Sequence, residues 1–244
     1  MFEPVKIGFG RSIMQPWFKD LAATTRPMRA YLRKPFEEAV FIAPSRMVDA
    51  AEDMLNKYMR LDRNEPTKPH FLPVTMFGFA KDYTPTGRDY TRQVADGEYI
   101  QFPNDPKQRL FRIKTIAGDL RVQVVFFASD EPTARSMAAQ FLLFLDRTDA
   151  RRFWVDYTFA GVTNSYPVQI ESPDSPAMNV PSERQNLCIL ACDFTLKAQI
   201  PLFTAPKDDE PNDGQGTPGD PDDPSGYPLT VLADINGERR VTWP

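Results

Sequence analysis

The most regular alternation of apolar and polar positions runs through "LCILACDFTLKAQIPLF" (187–203). Cys188, Leu190, Cys192, Phe194, Leu196, Ala198 and Ile200 share one parity, and Asp193, Thr195, Lys197 and Gln199 take the other. A period of two puts successive side chains on opposite faces, so this stretch predicts a strand with one buried face and one facing water or a neighbour. In "RVQVVFFASDEPTARSMAAQFLLFLD" (121–146) the period changes part-way. Val122, Val124 and Phe126 alternate with Arg121, Gln123 and Val125, and Val125 to Phe127 are apolar on both faces, as in a strand entering the interior. Ala134, Met137, Ala138, Phe141, Leu142 and Leu145 then recur at helical spacing, with Leu143 and Phe144 widening the stripe. At the join, Ser129 or Asp130 is placed to cap the helix, Glu131 complements the positive end of its dipole, and Pro132 fits its first turn. Those acids would repel a phosphate, so the strand-to-helix turn reads as a packing module.

The remaining elements follow from the same two periods. "RSIMQPWFKDLAATT" (11–25) predicts a helix, with Pro16 tolerated near its start or at a kink. "EEAVFIAPS" (37–45) predicts a short apolar strand, after which Ser45 can cap a helix over Arg46 to Leu61. In that helix Met47, Val48, Ala51, Met54, Leu55 and Tyr58 form one stripe, read as core packing. "HFLPVTMFGFAKDY" (70–83) predicts a strand whose Pro73 suits a first or edge position. The polar, aromatic stretch Thr84 to Asp105 predicts a surface excursion, and its Tyr and Arg residues suit protein contacts better than catalysis. "RLFRIKTIAGDLRVQVVFFAS" (109–129) predicts a hairpin turning at Ala117-Gly118-Asp119, and "RRFWVDYTFAGVTNSYPVQIES" (151–172) predicts two strands turning near Gly161 to Ser165. Ser172 to Arg184, broken by Pro173, Pro176 and Pro181, predicts a loop. The fold class expected is α+β: a mixed, mainly antiparallel sheet with the helices Arg46 to Leu61 and Asp130 to Leu145 packed on a face.

Composition changes this picture at the C-terminal end. "KDDEPNDGQGTPGDPDDPSG" (207–226) is acidic, rich in Pro and Gly and without a large apolar residue, so it predicts a flexible linker. Beyond it, Leu229, Val231 and Ala233 alternate, Asn236-Gly237 marks a turn, and Val241 and Trp243 follow. Asn-Gly between alternating runs is the strongest short hairpin signal, yet a lone two-stranded hairpin is only marginally stable in water. It should therefore dock on its own body or add strands to the exposed edge of another chain. The expected division is a body over 1–205, a linker over 206–226 and a hairpin arm over 227–244.

Charge divides along the same line. Lys207 to Asp223 holds seven acids and one Lys, net −6, which leaves the rest at about +2 within a whole-chain charge of −4. A near-neutral body argues against a dedicated nucleic-acid binder, because phosphate recognition needs a concentrated basic face. Met1 to Pro35, with seven Lys/Arg against two acids, leaves room for an acidic partner. No apolar run approaches the roughly 20 residues that span a bilayer, and the start lacks the layout of a signal peptide, so a cytoplasm-like compartment is expected.

Candidate chemistry is sparse. Cys188 and Cys192 lie four apart in the predicted strand. At about 3.3 Å per residue they would be roughly 13 Å apart, beyond disulfide reach, so two buried thiols are expected. His70 is the single histidine, which leaves no Cys/His zinc set and no second member for a triad. "GFGRS" (8–12) lacks the preceding strand of a phosphate-binding glycine loop. The pairs Asp208-Asp209 and Asp222-Asp223 fall in the linker, whereas acid–base catalysis needs positioned, partly desolvated groups. No catalytic, cofactor or metal residues are assigned. Function is expected instead on partner surfaces: Leu229, Val231, Ala233, Val241 and Trp243 of the arm, and Tyr83, Arg88, Tyr90 and Arg92 in and before the long loop.

The order of elements carries a resemblance. An N-terminal helix is followed by "FIAPSRMVDAAEDMLNKYM", "LPVTMFGFAKDYTPTGRDYTRQ", the strand–helix unit, "ERQNLCILACDFTLKAQIPLF" and a Pro/Asp-rich tail. Over Gly8 to Pro206 this resembles the tail sheath stabiliser, or tail terminator, proteins of contractile-tailed, T-even-like bacteriophages. Local matches are Pro44-Ser45 before a helix, Leu72-Pro73 opening a strand, the Arg-containing loop after Tyr83, and Ser182 to Arg184 before the last strand. The resemblance implies a non-enzymatic virion protein, assembled in the host cytoplasm into a hexameric ring at the neck. Its implied partners are further copies of itself, the tail tube, the tail sheath and neck or head-completion proteins, with no cofactor. It implies no membrane contact and no sequence-specific nucleic-acid contact, DNA passing only through the ring. The terminal hairpin after Tyr227 has no counterpart in the resemblance. Alternatives are a baseplate-side ring or collar clamping tube and sheath, a non-viral adaptor domain, and an enzyme using carboxylates.

Overall fold

The computed structural model describes residues 2–43, 55, 72–85, 98–101, 110–159, 161–171, 176–182, 184, 186–202, 231–235 and 238–242. The chain is α+β. An eight-stranded, mostly antiparallel sheet has the order β1-β2-β4-β8-β6-β5, with β3 paired to β4 and β7 paired to β8 outside that path. Its strands are β1 (Val40–Ile42), β2 (Val74–Pro85), β3 (Glu98–Gln101), β4 (Leu110–Ala128), β5 (Arg152–Phe159), β6 (Val162–Ile170), β7 (Ala177–Val180) and β8 (Cys188–Leu202). The chain forms two compact units, one of Met1–Thr86, Ala117–Val155 and Pro167–Ala198, the other of Gly87–Ile116, Asp156–Tyr166 and Gln199–Pro244.

In the first unit one face of the sheet is covered by helices. Helical structure runs without a break from α1 (Glu3–Phe9) through a π turn (Gly10–Met14) to α2 (Gln15–Asp20). Pro16 has no N–H and its ring crowds the carbonyl four residues back. The wider π turn, closed by the Gln15 N–H on the Gly10 carbonyl, makes that room. The helix stops at Asp20 rather than at the expected Thr25, because residues 21–25 are held from the side. Gln140 accepts from the Ala22 N–H at 2.8 Å and donates to its carbonyl at 3.0 Å, and the Thr25 and Thr133 hydroxyls meet at 2.7 Å. Thr25 then caps α3 (Arg26–Tyr31), accepting from the Met28 N–H. Gly8 of "GFGRS" serves close approach: a Cβ there would stand 2.8 Å from Val155 Cγ2, so α1 lies directly on β5.

The helix α5 (Glu131–Leu145), whose predecessor α4 spans Phe36–Ala39, follows β4 through the expected cap. Asp130 is the N-cap, its Oδ1 accepting the Thr133 N–H at 2.8 Å, while the Ser129 hydroxyl steadies the same carboxylate at 3.2 Å. Asp130→Ala should lower stability by about 1 kcal/mol and Asp130→Asn by much less, measured as the urea midpoint. Buried Ala134, Met137, Ala138, Phe141 and Leu145 fulfil the predicted stripe, whereas Leu143 is 70% exposed. Phe141 lies between Trp17, Phe126 and Phe194, with ring centroids at 5.4, 5.6 and 6.2 Å. Phe9 adds contacts to Phe77, Phe153 and Phe194. Off-parallel aromatic packing of this kind gains both apolar burial and favourable quadrupole contacts.

The opposite face has its own core of Val74, Met76, Val125, Phe127, Ile189, Ala191, Ala43 and Leu55. Leu55 is helical and buried in this second core. The rest of the predicted helix Arg46 to Leu61 falls outside the described residues. This second core is why β8 is buried on both sides at its start, a feature its alternation did not announce.

Four other expectations are corrected. Residues 37–39 are helical, and the predicted strand shrinks to β1, parallel to β2. The predicted hairpin at Ala117-Gly118-Asp119 is absent: β4 runs unbroken for 19 residues, with Gly118 paired to Pro85. A tight turn would need backbone freedom that Gly118 does not use, since Gly161 is the glycine with positive φ (84°) among the described residues. Gly161 indeed turns β5 into β6, leaving Thr163 to Ser165 inside a strand. Finally, the predicted loop Ser172 to Arg184 contains β7, which pairs with Ile189 to Cys192 between Pro176 and Pro181.

In the second unit β3 pairs with Leu110 to Ile113 of β4. The tip of the β5–β6 hairpin is held by a Ser165–Asp156 hydrogen bond, the Thr158–Thr163 hydroxyl pair and the Tyr157–Tyr166 rings. At the C-terminal end, β9 (Val231–Ile235) and β10 (Glu238–Thr242) form a separate antiparallel two-stranded sheet. Its register sets Ile235 opposite Glu238, the pairing that the sequence predicts for a hairpin.

Candidate assembly surfaces

The predicted partner residues are not brought together into one site. Val231, Ala233 and Val241 lie in β9 and β10, and the register pairs Val241 with Leu232, Val231 with Thr242 and Ala233 with Arg240. The apolar alternation of one strand is thus out of step with that of the other. Tyr83 is in β2, opposite Leu120, just past a bulge that separates it from the Phe79–Val122 pair. Leu229, Trp243, Arg88, Tyr90 and Arg92 lie outside the described residues, as do His70 and the acidic segment 206–226.

Two surfaces in the first unit went unassigned in the sequence. One is the sheet face opposite the helices at β5, β6 and β8. Trp154 is 57% exposed there, with the Arg152 guanidinium 5.6 Å from its ring centroid. Gln169 and Lys197 are exposed and paired in register, and Lys197 meets Glu171 at 2.6 Å. The available signal was parity: Arg152 and Trp154 alternate with Phe153 and Val155, which face the helices. The other surface is a groove of about 240 Å³ between α2 and α5, lined by Trp17, Leu21, Leu143 and Phe144. The Asp20–Arg147 pair borders it at 3.4 Å, and Arg147 also holds Asp149 at 2.9 Å. Hydrogen bonding to Arg147 depresses the Asp149 carboxyl below its ordinary range.

The buried reactive groups are held in their neutral forms. Burial pushes the Cys192 thiol up to about 12, with Asp193 adding to the shift, and it pushes up the half-buried Cys188 thiol as well. Burial also raises the Tyr31 phenol, opposed by its hydrogen bond to Thr75 at 2.8 Å. Tyr157 is pushed up to about 12 by the same cause. A thiol so far from ionising is a poor nucleophile. Both cysteines are free, with Cys192 in the core. Among the described residues no group of three or more His, Cys, Asp or Glu could hold a metal ion.

These shifts set an alkaline limit. A folded-state pKa raised above its unfolded value stabilises the fold below the unfolded pKa, and that contribution is lost as pH rises through the folded one. For Cys192 the window runs from its ordinary value of 9.0 to about 12. The urea midpoint should therefore fall between about pH 9 and pH 12, and Cys192→Ala should flatten that fall. An equal slope in the variant would exclude Cys192 as a source.

Among the described residues no helix is long and apolar enough to cross a membrane. No protein-family model matches the chain, and no curated protein matches it.

Proposed function

We propose that this chain is a structural protein of a contractile phage tail. Copies of it form a hexameric ring that caps the tail tube and anchors the terminal sheath ring at the neck. The observation that carries the proposal is the separate two-stranded sheet at the end of a long acidic segment. A hairpin of five-residue strands gains too little by itself in water and needs another surface. An assembly partner supplies one by strand addition or face packing. The succession of segments over Gly8 to Pro206 supports the choice of assembly, through its resemblance to tail sheath stabilisers. The exposed Trp154–Arg152 pair and the groove at Leu143 are further contact surfaces of the kind that ring neighbours, tube and sheath would use.

The test is the mass of the purified chain by analytical ultracentrifugation, with negative-stain images, alone and after mixing with tail tube and sheath proteins. Six-fold rings are expected, formed alone or on the tube. A chain that stays monomeric and binds neither tube nor sheath would overturn the proposal.

A further inference from the structure

The first 33 residues present cations without counter-charges. Arg11, Lys19, Arg26, Arg29 and Arg33 are exposed, and none makes an ion pair among the described residues. Many other surface cations are matched: Lys6 with Glu3 at 3.1 Å, Arg135 with Glu131 at 2.6 Å, Arg151 with Asp146 at 2.6 Å. Three of the unmatched residues form a stripe. Arg26, Arg29 and Arg33 are spaced three and four apart, and the Arg33 N–H on the Ala30 carbonyl at 3.3 Å carries the turn on past α3. Residues three and four apart share one side of a helix. The other side is fixed in the core by Met28 and Tyr31, the latter bonded to Thr75 and to the Ala39 carbonyl. The stripe is therefore presented rigidly.

The missing counter-charge is in the same sequence. Lys207 to Asp223 carries net −6, and it leads directly into the β9–β10 hairpin. We infer that the Arg26–Arg29–Arg33 stripe receives the acidic segment 207–223 of a second copy. This rests on the proposal that copies associate, and it names the contact by which they do so. Two features favour a second copy over another polyanion. The charges are opposite in sign, and the segment is tethered to a hairpin that itself needs a partner. One arm then makes two contacts on its neighbour, and the second is favoured by the high effective concentration that the first creates. Rim charges of this type chiefly raise association rate and salt sensitivity.

The experiment uses the full chain with two sets of substitutions. In the first, Arg26→Glu, Arg29→Glu and Arg33→Glu reverse the stripe. In the second, Asp208→Lys, Asp209→Lys, Glu210→Lys, Asp213→Lys and Asp220→Lys reverse the arm from net −6 to net +4. Each variant alone should associate about tenfold or more weakly than the natural chain at low salt, and lose most of its salt dependence. An equimolar mixture of the two should restore association, because each stripe then meets an arm of opposite charge from the other variant. Arg→Lys at the three stripe positions should keep association, which separates charge from folding. Three results overturn the inference while leaving the ring proposal standing: both reversals assembling normally, restoration only when both reversals share one chain, or loss of duplex DNA binding without loss of assembly. A natural chain monomeric under all conditions, with tube and sheath present, overturns both.

Discussion

Phe141→Ala should lower the free energy of unfolding by about 3–5 kcal/mol, the largest effect expected from any single truncation in the first unit. The phenyl ring is fully buried and sits between Trp17, Phe126 and Phe194. Removing it leaves a void among three rings anchored on α2, β4 and β8, none of which can collapse inward without moving its backbone. Each lost aromatic pair adds about 0.5–1.5 kcal/mol to the transfer cost. Against a typical total stability of about 5–15 kcal/mol, the variant would sit close to unfolding. Phe141→Leu should cost clearly less, since it keeps most of the volume. The check is urea denaturation followed by tryptophan fluorescence, for which Trp17 lies 5.4 Å from the altered ring. A shift below about 1 kcal/mol would mean that this cluster is not the organising core.

Deleting Gly226 to Pro244 should weaken assembly strongly and spare the fold. The hairpin shares no strand pairing with the eight-stranded sheet among the described residues, so the circular dichroism and the thermal transition of the truncated chain should match those of the full one. Association should weaken by roughly a hundredfold, the scale on which loss of a tethered second contact acts. Light scattering across a concentration series checks this. Intact rings without residues 226–244 would show that the arm has another role. Val241→Asp is the finer version: it charges a position paired with Leu232 without shortening the chain. It should impair assembly if hairpin side chains are buried in a partner.

Much of the fold was legible wherever a single period ran long enough. The strand–helix unit at 121–145 is the clearest case: the switch from period two to period 3.6 located β4 and α5, and Asp130 caps as its position predicts. The β9–β10 pairing was legible for a similar reason, because Asn-Gly between alternating runs is a strong hairpin signal. What failed were local signals that long-range pairing overrode. Ala117-Gly118-Asp119 has the composition of a turn, but strand partners on either part of β4 keep it extended. Pro176 and Pro181 bracket a segment that still pairs, since a four-residue strand between them needs few donors. The partner surfaces were less legible than the fold. Exposed Trp154 and the unmatched arginines of α3 acquire meaning only when their neighbours are known.

The sequence by itself determined the α+β class, the capped helix after β4, the buried parity of β8 and the terminal hairpin. Each of these depends on the preferences of residues close together in the chain. Only the tertiary structure decided that the sheet has two cores, one beneath Phe9, Trp17 and Phe141 and one around Leu55, Met76 and Phe127. It alone decided that β4 passes through its glycine without turning, and that Gly8 is small because Val155 stands against it. Burial on the second face of a strand and the choice between turn and ladder are set by residues far away in sequence. Their energies do not exist until the chain has brought those residues together.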